Sequence, residues 1–229
     1  MRRHGNQRRG HQREDLQAHQ ELAGLAARML VRGEARGFHE AREKAAATLG
    51  LRGSEAALEG FALLQAVIDY QSLFDHGELP KRNQRLRVAA LEAMKFLRVF
   101  SPRLHGPVLF GTTFEDTPVG LFLFDDEVEH VTRYLLHNKI PFTLRTAPAR
   151  RGREAAWPIF ECHRDGVDFE LSVLPVQRQR QMPLSRLTGR TALSLDENAL
   201  LQRLAESPGG YWLEDLPLLP PPNFAEPDL

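Results

Sequence analysis

Three features in the middle of the chain combine residue types that could do chemistry. Gly111 and Thr112 follow a short apolar run that ends at Phe110. A glycine admits close approach of a ligand to the backbone, and the hydroxyl beside it can donate or accept a hydrogen bond. Glu170 lies in the later run Val167–Val173 and supplies a carboxylate, a ligand type that magnesium prefers.

The third feature is a dense basic stretch. Arg150, Arg151 and Arg153 lie within four residues of one another. Guanidinium groups bind phosphate in fork geometry, so this stretch could contact a nucleotide or RNA. A solvated loop between two strands explains the same residues, and the sequence leaves both interpretations open.

The order of these features resembles the nucleotidyltransferase superfamily, the fold shared by polymerase beta and many small bacterial proteins. The resemblance covers roughly residues 83–175. In that family an apolar residue, Gly, and Gly or Ser precede a strand that carries two carboxylates flanking one apolar residue. A third carboxylate lies on a later strand, and together the three hold two magnesium ions.

Carried over to this chain, the resemblance assigns Gly111 and Thr112 to the phosphate loop and Glu170 to the third carboxylate. The two metal-ligand positions of the next strand then fall on Pro118 and Gly120, neither of which has a side-chain ligand. The resemblance therefore implies a degenerate bacterial member in which Glu170 alone remains. Magnesium is implied only if the protein is active.

A second alignment places the paired carboxylates at Asp125 and Glu127, with Glu170 completing the metal set. The spacing from Thr112 suits the family better, but the middle position is Asp126 instead of an apolar residue. The same acids could instead cap the helix that follows them.

These residues need a scaffold, and the surrounding pattern predicts an α+β protein with a mixed β-sheet core behind an α-helical N-terminal region. Apolar residues recur at helical spacing through residues 15–80 and again from Asn83 to Phe100, where Leu86, Val88 and Val99 are assigned to the apolar side. After Pro102 the pattern indicates strands, a helix from Asp125, and a hairpin at Asp165-Gly166.

The element order is predicted as helices, then β-β-α-β-β-β, then a helix. The predicted strands are 107–110, 119–124, 142–145, 159–163 and 167–174, and the helices between and after them are 125–138 and 196–206. The predicted organisation is a disordered basic leader at 1–14, a helical region at 15–80, the core at 83–207, and an extended Pro-rich tail at 208–229.

Composition limits the classes of protein that remain. Lys plus Arg and Asp plus Glu both number 30, which argues against a protein built wholly to coat nucleic acid. The single cysteine, Cys162, excludes an internal disulfide and a cysteine-rich zinc site. No apolar run is long enough for a membrane helix and no secretory signal is recognisable, so a cytoplasmic protein is expected.

Two functional hypotheses follow. The first is a nucleotidyltransferase-like protein that has lost two-metal catalysis and acts by binding a nucleotide, RNA or a protein. The second is an active, diverged nucleotidyltransferase that recruits other carboxylates beside Glu170, such as Glu115, Asp116, Asp125 or Glu127. Leu/Ala stripes on the N-terminal helices are predicted to be packing faces, part of which could bind a protein partner.

Overall fold

A computed structural model describes residues 4–35, 38–52, 60–74, 77–146, 157–183 and 191–212 of the chain. Within these ranges it contains seven α-helices and one five-stranded mixed sheet, which confirms the predicted α+β class. The helices are α1 His4–Val31, α2 Phe38–Leu49, α3 Gly60–Phe74, α4 Glu78–Phe96, α5 Pro107–Phe110, α6 Val128–His137 and α7 Glu197–Glu206. The strands are β1 Arg103–His105, β2 Val119–Phe124, β3 Phe142–Thr146, β4 Pro158–Arg164 and β5 Val167–Leu174.

The sheet order is β1-β2-β5-β4-β3. Only β2 and β5 are parallel; the other neighbouring strands are antiparallel. The β4–β5 hairpin turns at Asp165 and Gly166, which both have positive φ, as a two-residue hairpin loop requires. The predicted hairpin is therefore confirmed.

One sheet face is packed against helices and forms the main core. Val119, Leu121 and Leu123 of β2 point into it, together with alternate residues of β4 and β5. The helices α4, α6 and α7 contribute Met94, Leu135 and Leu200 among others. The opposite face is apolar only at one end, around Phe122, Phe124 and Leu174, so the rest of that face is available for polar side chains.

The N-terminal helices form a second core. Leu22, Ala26, Ala41 and Ala45 are buried there, which confirms that the described Leu/Ala stripes are packing faces. Helix α3 joins the two cores, because Leu63 and Val67 lie in the helical core whereas Leu64 and Ile68 lie in the main core. None of the described helices is both long enough and apolar enough to cross a membrane.

Several predicted boundaries are corrected. The leader predicted to be disordered is helical from His4 onward. The predicted strand 107–110 is the short helix α5, because Pro107 starts a helical turn that Gly111 ends in the left-handed conformation. The first strand is β1 instead. Of the residues assigned to the apolar side of α4, Val88 is exposed, and so is Val99 just beyond the helix.

The first residues of the predicted tail contact the core. Residues 207–212, here called the C-terminal strap, pack against α4 and α5. The remainder of the predicted tail lies outside the described residues.

Candidate functional site

The sheet register places Glu170 beside Gly120. In the parallel pairing of β2 with β5, these two residues are direct partners. On the other side of β5, Glu161 of β4 is the direct partner of Glu170, and Thr143 of β3 is the partner of Glu161. Since partners in register project from the same sheet face, these residues form one row across it. The row lies on the sheet face opposite the main core.

The row borders a cavity of about 700 Å³ at the end of the sheet where β2 begins. Pro118 lines this cavity with Glu170, so the structure brings together three positions that the family resemblance singled out: Pro118, Gly120 and Glu170. The complete lining is Asp116, Pro118, Pro141, Phe142, Thr143, Glu161, Cys162, His163, Asp168, Phe169 and Glu170.

The lining is acidic. Four carboxylates face one histidine, and that histidine is already partnered, because His163 Nδ1 lies 2.7 Å from Asp168 Oδ1. Proline and phenylalanine side chains supply the apolar part of the wall. Burial raises the pKa of the Cys162 thiol to about 11, with a further contribution from the charge of Asp168. The cavity is therefore suited to a ligand that donates hydrogen bonds and repels one that carries uncompensated phosphates.

An arginine that the sequence analysis did not single out bonds to two of these carboxylates. Arg145 of the edge strand β3 donates from Nε to Glu161 and from Nη2 to Glu170 Oε1, the latter at 2.7 Å. The alternation of polar residues along β3 and β4 could have indicated that Arg145 and Glu161 lie on one face of the sheet. Only the strand register, however, brings Arg145 to Glu170, which lies 25 positions along the chain.

The site does not fit the magnesium ions that the resemblance implies. Pro118 and Gly120 offer no ligand atoms, and the carboxylate of Glu170 is held by Arg145. Across the described ranges, no group of three or more His, Cys, Asp or Glu side chains is arranged so that it could hold a metal ion.

A side chain at position 120 would meet an aromatic ring. A Cβ built on Gly120 would lie 2.9 Å from Cε1 of His105, whose ring stacks on Phe122 with centroids 3.7 Å apart. The imidazole thus fills the space in which the family's second carboxylate would stand.

Gly111 and Thr112 lie in the interior and do not line the cavity around Glu170. Thr112 is fully buried, and its Oγ1 has no hydrogen-bond partner. Gly111 has φ +84, and its carbonyl accepts a hydrogen bond from Asn83 Nδ2 at 2.8 Å. A Cβ on Gly111 would lie 2.8 Å from the carbonyl oxygen of Gly210. Gly111 therefore contacts other segments of the chain and does not border the cavity beside Glu170.

Those contacts are organised by Arg87, a buried residue on α4 that the sequence analysis also missed. Its guanidinium donates to the carbonyls of Val108 and Leu109 on α5 and to those of Pro208 and Gly210 in the strap, at 2.8–3.1 Å. It also lies 3.4 Å from the ring centroid of Trp212. Burial lowers the pKa of Arg87 to about 9, which leaves it charged at neutral pH.

The second predicted metal set is not assembled. Asp125 and Glu127 follow Phe124, the last residue of β2, which lies four residues, or about 13 Å, beyond Gly120 along the strand. The Asp125 carboxylate accepts a hydrogen bond from the Glu127 amide at 2.8 Å, and both acids flank His130. They consequently organise the turn before α6 and do not join Glu170. Arg150, Arg151 and Arg153 lie outside the described residues.

Comparison with known proteins gives no relative: no protein-family model, curated protein or solved structure matches this chain.

Proposed function

We propose that this chain is a nucleotidyltransferase-like protein that has lost two-metal catalysis and binds a small ligand of nucleoside type in the cavity beside Glu170. The observation that carries the proposal is the register of β2 and β5. It sets Glu170 next to Gly120, where the family resemblance would put a metal-binding pair, while Gly120 and Pro118 supply no ligand atoms. Two-metal transfer without those carboxylates loses most of its charge stabilisation.

The size of the cavity favours a small molecule over RNA or a protein. A volume of about 700 Å³ lies inside the range of small-ligand sites. Carboxylates such as Asp168 and Glu170 can accept hydrogen bonds from ribose hydroxyls and base amino groups. They also repel a triphosphate, so the nucleoside part of a nucleotide is the part that the lining suits.

Calorimetric titration with adenosine, AMP and ATP, each with and without MgCl2, tests the proposal. We expect adenosine and AMP to bind at least as tightly as ATP, and magnesium to leave their affinity unchanged. Glu170→Gln and Asp168→Asn should weaken binding by about tenfold, the effect of losing one hydrogen bond to a charged group. Glu129→Gln, an exposed acid on α6, is the matched control and should bind like the unmodified chain.

One observation favours a second candidate, an active diverged nucleotidyltransferase. Asp116, Asp168 and Glu161 line the same cavity as Glu170. In the described ranges these carboxylates are not arranged as a metal site, so this candidate requires them to move together when metal and nucleotide bind. Magnesium-dependent ATP binding, together with transfer of label from an α-labelled nucleotide that Glu170→Ala abolishes, would establish this candidate.

If none of adenosine, AMP and ATP binds, a different class of protein is favoured, namely a scaffold that binds RNA or another protein. The N-terminal helices then become the surface to test. Leu73 and Phe74 at the end of α3 are exposed large apolar residues in that region.

A further inference from the structure

The sheet face opposite the main core contains two carboxylates that oppose each other directly. Glu161 and Glu170 are partners in the antiparallel pairing of β4 with β5, and their side chains are 43% and 36% exposed. Like charges at directly opposite positions destabilise a sheet. A cation held between them offsets that repulsion.

Arg145 supplies that cation from the neighbouring edge strand. Two different nitrogens of one guanidinium reach the two carboxylates, Nε to Glu161 and Nη2 to Glu170. Burial opposes the charge of Arg145, but the hydrogen bonds and charges of both acids outweigh it, so the pKa of Arg145 is raised. A planar fork that serves two carboxylates at once is a geometry that arginine provides and lysine does not.

We infer that Arg145 is the resident cation of this site: its guanidinium occupies the position between Glu161 and Glu170 that a divalent metal ion would otherwise take, and it makes the site independent of metal. The inference rests on the proposed function in one respect, that the cavity beside Glu170 is the ligand's site. Beyond that, it identifies the guanidinium of Arg145 as the group that replaces the metal ion in this site.

Two kinds of cation, a metal ion and a guanidinium, can neutralise one pair of acids. Magnesium and manganese bind at sites with one or two carboxylates and complete their coordination with water. An arginine held on the same sheet competes as an intramolecular partner, so a metal ion in solution must displace it. Among the described residues, Arg145 is the cation that pairs with Glu161 and Glu170. Its removal therefore leaves two opposed carboxylates that a divalent ion can bridge.

An ordinary cross-strand ion pair makes a different prediction. If Arg145 only added a partly exposed salt bridge, its loss would lower stability slightly and no metal would restore it. Rescue by a divalent ion is therefore the measurement that separates the two roles.

The experiment follows thermal unfolding and calorimetric titration with MnCl2, and in parallel MgCl2, for the full chain and three variants. Arg145→Ala removes the cation, Arg145→Ala/Glu170→Gln also removes the opposed charge, and Arg98→Ala removes an arginine that pairs with Glu197 away from the cavity. The full chain and Arg98→Ala should show no saturable heat and no change of Tm. Arg145→Ala should bind Mn²⁺ with a Kd on the order of millimolar and gain about 3 °C in Tm at ten times that concentration.

The double variant should lose the manganese response, because only one carboxylate remains. The inference is overturned if Arg145→Ala gains no Tm with manganese, or if the full chain binds manganese saturably through Glu170. If Arg145→Ala does not fold with or without MnCl2, the same titration is made on Arg145→Gln. The gain of Tm with manganese and the saturable binding of manganese are then judged as before. Adenosine binding by the full chain is measured separately, so failure of the proposed function is distinguishable from failure of this inference.

Discussion

The carbonyl oxygen of Gly210 lies so close to Gly111 that a Cβ on Gly111 would stand 2.8 Å from it. The glycine that resembles a phosphate-loop residue is thus in contact with the C-terminal strap. Its φ of +84 is a second reason for glycine at this position. One reason is packing and the other is backbone conformation. Both can be tested without any ligand.

We expect Gly111→Ala to destabilise the protein by more than the left-handed backbone alone explains. That conformation costs a non-glycine residue about 1–2 kcal/mol, and the contacts with the Gly210 carbonyl and with Arg87 Nη2 add to it. Gly166→Ala is the matched control, because Gly166 has φ +73 and no atom within 4 Å of its Cβ position. Urea unfolding of the two variants gives the difference, and equal losses would contradict the packing role of Gly111.

Arg87 is expected to be one of the most sensitive positions in the chain. Its replacement by Leu leaves four carbonyls, two buried and two part-buried, without their donor and removes the cation over Trp212. The loss should be at least about 3 kcal/mol, since each unsatisfied buried group is costly. Denaturant unfolding measures it, with Arg85→Leu on the exposed side of the same helix as control. A cost for Arg87→Leu no larger than that of the control would show that the strap is held by other contacts.

The contact between Gly120 and His105 predicts an energetic coupling. Gly120→Ala should destabilise the sheet because its Cβ would lie 2.9 Å from the imidazole, whereas the same change should cost less when His105 is already alanine. A double-mutant cycle on unfolding free energies should give a coupling of at least about 0.5 kcal/mol. Additive effects would mean that the ring moves aside freely and that position 120 can accept a larger side chain.

Much of the fold could be predicted from local sequence. The unbroken apolar run of β2 predicts a strand buried on both faces, and all six of its residues are buried. Asp165-Gly166 predicts the β4–β5 hairpin, because the loop needs two residues with positive φ. Pro107–Phe110 was predicted wrongly as a strand because a four-residue apolar run has no distinguishing period; Pro107 and Gly111 were the signals for a helical turn.

The site could be predicted only in part, since its contacts depend on register and on distant segments. Glu170 is a candidate that the resemblance predicts. The hydrogen bonds of Arg145 to Glu161 and Glu170, in contrast, follow from the pairing of three strands. From local sequence alone, Arg87 would be predicted to be a solvated helix residue. Two of the carbonyls that it binds lie in the strap, more than 120 positions later in the chain. No local pattern contains either relationship.

Cys162 offers a reporter for the cavity. Its thiol is partly buried in β4 and lines the cavity, and burial raises its pKa from 9.0 to about 11. At pH 8 a shift of that size reduces the thiolate fraction by about 100-fold, and the thiolate is the reactive form. Alkylation by iodoacetamide at pH 8 should therefore be slower by about that factor in the native protein than in urea. The native rate should keep rising with pH up to about 11.

The same reaction reports on ligand binding. A nucleoside in the cavity should slow alkylation of native Cys162 further, and Asp168→Asn should raise the native rate only slightly because burial is the larger cause of the shifted pKa. Iodoacetamide labelling followed by mass spectrometry, with and without saturating adenosine, measures both effects. Native and unfolded rates that coincide at pH 8 would show that the thiol is not shielded. If half-maximal protection needs the same adenosine concentration in Glu170→Gln as in the unmodified chain, the ligand does not contact Glu170.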